Sequence, residues 1–139
     1  MFRIRVRTEN DVVESDISEE VDGGMISFIA AHPIEKRYGR HAATLPYTNY
    51  AQAFQGTPNI GDVNVHNGRC VIDIVTPNSF YAKMGRVLVP PTVYVSFYSN
   101  KRRLEYAIPL GKSKARSKNK HGDHRVLSQY ARLLDMAAD

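Results

Sequence analysis

The 139 residues, 42% hydrophobic and 24% charged, suit one folded domain with a core of its own. No apolar run approaches the ~20 residues that span a bilayer, and MFRIRVRTEND lacks the apolar stretch of a secretory signal. The single cysteine, Cys70, excludes an internal disulfide, and the expected location is cytoplasmic.

The net charge of +5 is local. Lys112 to Arg125 holds six Lys/Arg and one acid, and the rest of the chain balances 13 against 13. A localised excess points to an anionic partner: nucleic acid or an acidic protein surface.

At the start of the chain, Phe2, Ile4 and Val6 alternate with Arg3, Arg5 and Arg7. This period of two predicts a half-buried strand with an arginine face. Residues 9–22 carry seven acids and no Lys or Arg. Asp22-Gly23-Gly24 reads as a turn between 12–21 and the apolar run 25–31, which predicts a hairpin. The acids are expected on a solvated face, with neutralisation of the basic segment and imitation of a polyanion as alternatives.

HPIEKRYGRH, residues 32–41, is a dense polar loop broken by Pro33 and Gly39. His32, Glu35 and His41 are the acid–base candidates there, with Arg37 and Arg40 to stabilise charge on a phosphodiester. Pro46 to Gln55 reads as a helix with Tyr47, Tyr50, Ala51 and Phe54 on one stripe, stopped by Gly56.

Asn67-Gly68 is the preferred pair for a two-residue hairpin turn. It predicts His66 opposite Arg69, Val65 opposite Cys70 and Asp62 opposite Asp73. Val63, Val65, Cys70, Ile72 and Ile74 then share one apolar face, with Cys70 buried and unreactive. Asp62 facing Asp73 is unfavourable and calls for a cation between them, an arginine from elsewhere in the chain rather than a metal, for which further ligands are missing. Thr76 and Pro77 carry helix-start chemistry and predict a short helix over 77–84.

A second hairpin is expected from 93–99 and 102–109 about Asn100-Lys101. Val93, Val95, Phe97, Leu104, Tyr106 and Ile108 form its core face. Tyr94, Ser96, Tyr98, Arg103 and Glu105 form the other. Val126, Leu127, Tyr130, Ala131, Leu134 and Ala137 mark an amphipathic C-terminal helix, with Asp123 as its cap. The expected fold class is α+β, a mainly antiparallel sheet built from hairpins with two or three helices. The expected organisation is a core over 1–110, a basic loop over 111–124 and the helix over 125–139.

In the basic loop Lys112, Lys114, Arg116, Lys118 and Lys120 fall on every second residue. An extended chain places them in one row, about 6–7 Å apart, which suits a phosphate backbone. Lys101, Arg102 and Arg103 add charge at the hairpin tip, and Tyr94 and Tyr98 offer stacking surfaces. No phosphate-loop, dinucleotide, zinc-protease, CxxC or GxSxG pattern occurs, so neither a cofactor nor a metal is expected. The i, i+3 pair His121 and His124 lacks further ligands.

The function expected from these residues is non-catalytic binding of nucleic acid, RNA or single-stranded, or of another polyanion. The first alternative is charge-driven interaction or self-assembly, as in a virus- or mobile-element-encoded protein. It would join segment 9–22 to segment 112–125 as a homo-oligomer or against a partner. The second alternative is a small metal-independent nuclease built on the 32–41 cluster.

Overall fold

The computed structural model describes residues 1–34, 45–111 and 124–138. The described strands are mostly antiparallel and are accompanied by two helices. A three-stranded sheet combines β1 (Phe2–Arg7), β2 (Val12–Ile17) and β5 (Arg69–Asp73), with β1 in the middle. β1 runs antiparallel to β2 and parallel to β5. A four-stranded sheet has the order β4 (Ile60–Asn64), β3 (Met25–Ala30), β8 (Thr92–Ser99) and β9 (Arg102–Pro109), antiparallel throughout.

The two sheets face each other across one core. Phe2, Ile4, Val6, Ile17, Cys70 and Ile72 come from the smaller sheet, and Ile26, Phe28, Val93, Val95, Phe97, Tyr106 and Ile108 from the larger. Within it Phe97 meets Phe2 edge-on at 5.3 Å and stacks on Tyr106 at 5.8 Å. Burial pushes the Cys70 thiol up to about 11, so it stays protonated at neutral pH.

The larger sheet is covered on its other face as well. There α1 (Tyr50–Phe54), the small ribbon of β6 (Phe80–Ala82) with β7 (Val87–Val89), and α2 (His124–Ala137) close a second core. Ile29, Phe54, Phe80, Tyr94, Tyr130 and Leu133 fill it. Asn59 ties the layers together: its amide donates to the Ala31 and Val75 carbonyls at 2.9 Å and accepts from Val75 N–H at 3.1 Å. A buried amide so fully bonded avoids the penalty of an unmet polar group.

Several expected elements take a different form. Residues 12–17 pair back onto β1, not onto 25–31, through a turn in which Thr8 N–H reaches the Asp11 carbonyl at 2.9 Å. Charge explains the choice, since Glu14 and Asp16 then lie beside Arg3 and Arg5. The Asn67-Gly68 turn forms, with both residues at positive φ, and His66 bridges Arg69. Beyond that bridge the strands separate, β4 joining the larger sheet and β5 the smaller. Val63, Val65, Cys70, Ile72 and Ile74 still face one core, but from opposite sheets. Asp62 therefore never opposes Asp73; it meets Ser27 at 2.6 Å, and Asp73 meets Arg7 at 2.7 Å.

The helix expected over 77–84 is absent. Phe80 to Ala82 is strand β6, and Lys83, Met84 and Gly85 turn the chain with successive positive φ. Tertiary packing overrides the local helix-start signals, because Phe80 meets Phe54 edge-on at 5.0 Å. α1 is shorter than the expected 46–55: Asn49 caps it by accepting from Gln52 N–H at 2.9 Å. Its buried residues are Ala53 and Phe54, whereas Ala51 is exposed. The hairpin of β8 and β9 has the expected register, from Ser99 opposite Arg102 to Val93 opposite Ile108. On α2, Tyr130 and Leu133 are buried, Leu134 is half-buried and Ala131 is exposed. The Asp123 cap lies outside the described residues.

Candidate nucleic-acid interface

The second face of the larger sheet changes character along its strands. Antiparallel pairing sets side chains of neighbouring strands in lateral rows, about 4.8 Å from strand to strand. The first row, Ile60, Ile29, Tyr94 and Ala107, is apolar, and its middle lies under the second core. The next row is Asp62, Ser27, Ser96 and Glu105. One step further, Tyr98 stands opposite Arg103, and Asn64 opposite Met25. Helix α2 covers the first row and leaves a groove of about 560 Å³ over the polar ones, with Tyr130 and Leu134 in its wall.

Arg103 organises one side of this groove. Its Nε donates to Ser96 Oγ at 2.8 Å and lies 3.4 Å from a Glu105 carboxylate oxygen. Its guanidinium sits over the Tyr130 ring, 5.1 Å from the centroid. Glu105 is 2% exposed, and its Oε1 has no hydrogen-bond partner among the described residues. Burial pushes this carboxyl up to about 7, against the pull of Arg103 and of the Tyr130 backbone. The Tyr130 hydroxyl is likewise buried without a partner, and burial raises its pKa.

The hairpin tip is held from below. Asp22, in the single turn Asp22–Gly24 before β3, accepts from Asn100 N–H at 3.2 Å and Lys101 N–H at 2.8 Å. Both tip residues have positive φ, and the Asp22 carboxylate satisfies amides that the turn would leave open. The side chains of Lys101 and Arg102 are exposed and form no ion pair among the described residues. Tyr98, on the same strand end, is 55% exposed.

The expected site residues thus divide. Tyr98, Lys101 and Arg102 share one exposed end of the hairpin. Arg103 is exposed but anchored to Ser96 and Glu105. Tyr94 does not join them: it is 3% exposed, meets Phe54 edge-on at 6.2 Å, and belongs to the second core. It cannot stack on a base, because the helical layer covers its row. Lys112, Lys114, Arg116, Lys118 and Lys120 lie outside the described residues. So do Glu35, Arg37, Arg40 and His41 of the acid–base cluster. His32 is engaged in the scaffold, with Nε2 2.7 Å from the Gln55 carbonyl and its ring edge-on to Tyr47.

The acidic segment is engaged too. Glu14 and Asp16 pair with Arg3 and Arg5, and Glu9 accepts from Thr76 N–H at 3.0 Å. Asp11 accepts from Val12 N–H, Glu19 bonds the Tyr106 hydroxyl, and Asp22 holds the hairpin tip. Glu20 lies 2.9 Å from the Met1 amino group. The arginine face of β1 is therefore a neutralised ladder, completed by the two-pronged contact of Arg7 with Asp73 at 2.7 and 2.9 Å. Arg7 holds the Asp73 carboxyl below its ordinary range through that hydrogen bond.

Sequence reasoning missed Asp22, Ser27 and Asp62 as parts of this end of the molecule. Their positions depend on pairing β3 with β4 and β8, and on a turn docking under a hairpin far along the chain. The local cue was the Asp-Gly-Gly turn, which was legible as a turn but not as a support. No family model, curated protein or solved structure matches this chain.

Proposed function

We propose that the protein is a non-catalytic binder of single-stranded nucleic acid. Its binding groups are the exposed end of the β8–β9 hairpin and the cations of the basic segment 112–125. The observation that carries this reading is the partition of charge. The acids of 9–22 are bonded within the chain, whereas Lys101 and Arg102 have no acidic partner among the described residues and stand beside the exposed Tyr98 ring. Cations beside an exposed aromatic ring are what a flexible strand of stacked bases and phosphates requires.

The same partition weakens the self-assembly reading, which needs the acids of 9–22 free to meet a second copy. The nuclease reading has less support because His32 is bonded to the scaffold. Fluorescence anisotropy with labelled single-stranded RNA and DNA tests the proposal. Tyr98→Ala should weaken binding by roughly 1–3 kcal/mol, the worth of one stacked base. Tyr94→Phe should leave binding unchanged, since that ring is covered. Gel analysis of the same RNA with and without EDTA should show it intact. Equal affinity of the parent and a Tyr98→Ala, Lys101→Ser, Arg102→Ser variant would remove this surface from consideration.

A further inference from the structure

The groove beside the hairpin presents hydrogen-bonding groups of two opposite kinds. Asp62 reaches over β3, where one carboxylate oxygen accepts from Ser27 Oγ at 2.6 Å, and its second oxygen has no partner among the described residues. Arg103 reaches over β8 and uses Nε for both of its short contacts, so its two terminal nitrogens are open among the described residues. Ser27 and Ser96 are direct neighbours on adjacent strands. The acceptor-only group and the donor-only group therefore line one groove from opposite sides of the Ser27–Ser96 pair, and they form no ion pair with each other. Tyr98 adds an exposed ring on the arginine side, and Tyr130 a buried hydroxyl in the wall with no partner among the described residues.

A ligand for this groove should show paired donors on one edge and paired acceptors on the other. Among the four bases only guanine does both. Its N1–H and N2–H₂ lie side by side and suit a carboxylate, and its O6 and N7 suit the fork of an arginine. The groove, about 560 Å³, is within the range of small-ligand sites. Resting on the single-strand reading above, we propose that it holds one unstacked guanine. Asp62 accepts from its Watson–Crick edge, Arg103 donates to O6 and N7, and the base lies against Tyr98.

The test uses three 12-nucleotide RNAs: oligouridylate, the same with one central guanosine, and the same with one central adenosine. The guanosine strand should bind roughly tenfold or more tightly than the other two, the discrimination of one good bidentate pair. Asp62→Asn, at an exposed position, should keep the parent's melting temperature and erase that preference. Inosine in place of guanosine, which lacks the N2 amine, should weaken binding to the parent but not to Asp62→Asn. Equal, salt-dependent binding of all three strands by the parent would overturn the guanine site and leave the single-strand reading standing. No binding of any strand at low salt would overturn both. A guanosine preference that persists in Asp62→Asn would also refute the assignment.

Discussion

Glu105 is the residue on which the polar end of the larger sheet turns. It sits between Arg103 and the Tyr130 wall, with one oxygen unpartnered among the described residues, in a place that favours the uncharged acid. Its carboxyl is pushed up to about 7 from an ordinary value of 4.5, so the folded chain binds this proton more tightly than the unfolded chain does. The resulting stability is complete below about pH 4.5, declines as pH rises, and is gone above about pH 7. Above that the chain carries a buried charge that Arg103 only partly offsets. Glu105→Gln keeps the shape and an acceptor for Arg103 but has no proton to lose. Thermal melts should therefore show little difference from the parent at pH 5 and a more stable variant at pH 8. The gain should be at most roughly 3 kcal/mol, the free energy of a shift of this size. A variant equally or less stable than the parent at pH 8 would mean that Arg103 fully compensates the buried carboxylate.

At the scale of elements, two fully buried side chains anchor α2 among its described residues. Leu133 and Tyr130 are both 0% exposed and lie against the row containing Tyr94. Leu133→Ala should cost roughly 2–5 kcal/mol, measured by urea or thermal unfolding, and Leu134→Ala less because that side chain is only half-buried. Equal costs at the two positions would mean that α2 docks on a different face. The helix is legible in its sequence, but at its centre the buried stripe takes Leu133 in place of the expected Ala131, because both positions satisfy the helical spacing from their neighbours. The β8–β9 hairpin was legible down to its register, since the turn and the period of two agree within one contiguous stretch. The Asn67-Gly68 stretch shows the boundary of such reasoning. A period of two names the face a side chain takes, not the strand it pairs with. In a two-sheet core both partners of a turn keep the same apolar face while joining different sheets. The candidate site was legible only where it belongs to one hairpin, at Tyr98, Lys101, Arg102 and Arg103. Ser27, Asp62 and Asp22 arrive through long-range pairing, and Tyr94 was misassigned because its alternation points equally to a solvated face and to a second core.

At the scale of the whole molecule, charge is segregated. The described layers neutralise themselves, with Arg3, Arg5 and Arg7 set against Glu14, Asp16 and Asp73. The chain's net charge of +5 equals the surplus of Lys112 to Arg125. No helix among the described residues is long and apolar enough to cross a membrane. In the reading proposed above, the basic segment, which leads directly into α2, supplies the phosphate contacts and the hairpin end supplies the base contact. The two then respond differently to salt. Phosphate contacts release counterions, and for a single strand log K falls with log[salt] by about 0.7 per contact, so five contacts give a slope near −3.5. Replacing Lys112, Lys114, Arg116, Lys118 and Lys120 together by Ser should remove most of that slope. A melting temperature equal to the parent's checks that the variant still folds. Tyr98→Ala should instead lower affinity at every salt concentration and leave the slope nearly unchanged, because a stacked base releases no counterions. Anisotropy titrations at four or five salt concentrations separate the two effects. If the five-Ser variant binds as tightly as the parent across that range, the segment makes no phosphate contacts. The localised charge would then have a role other than holding nucleic acid.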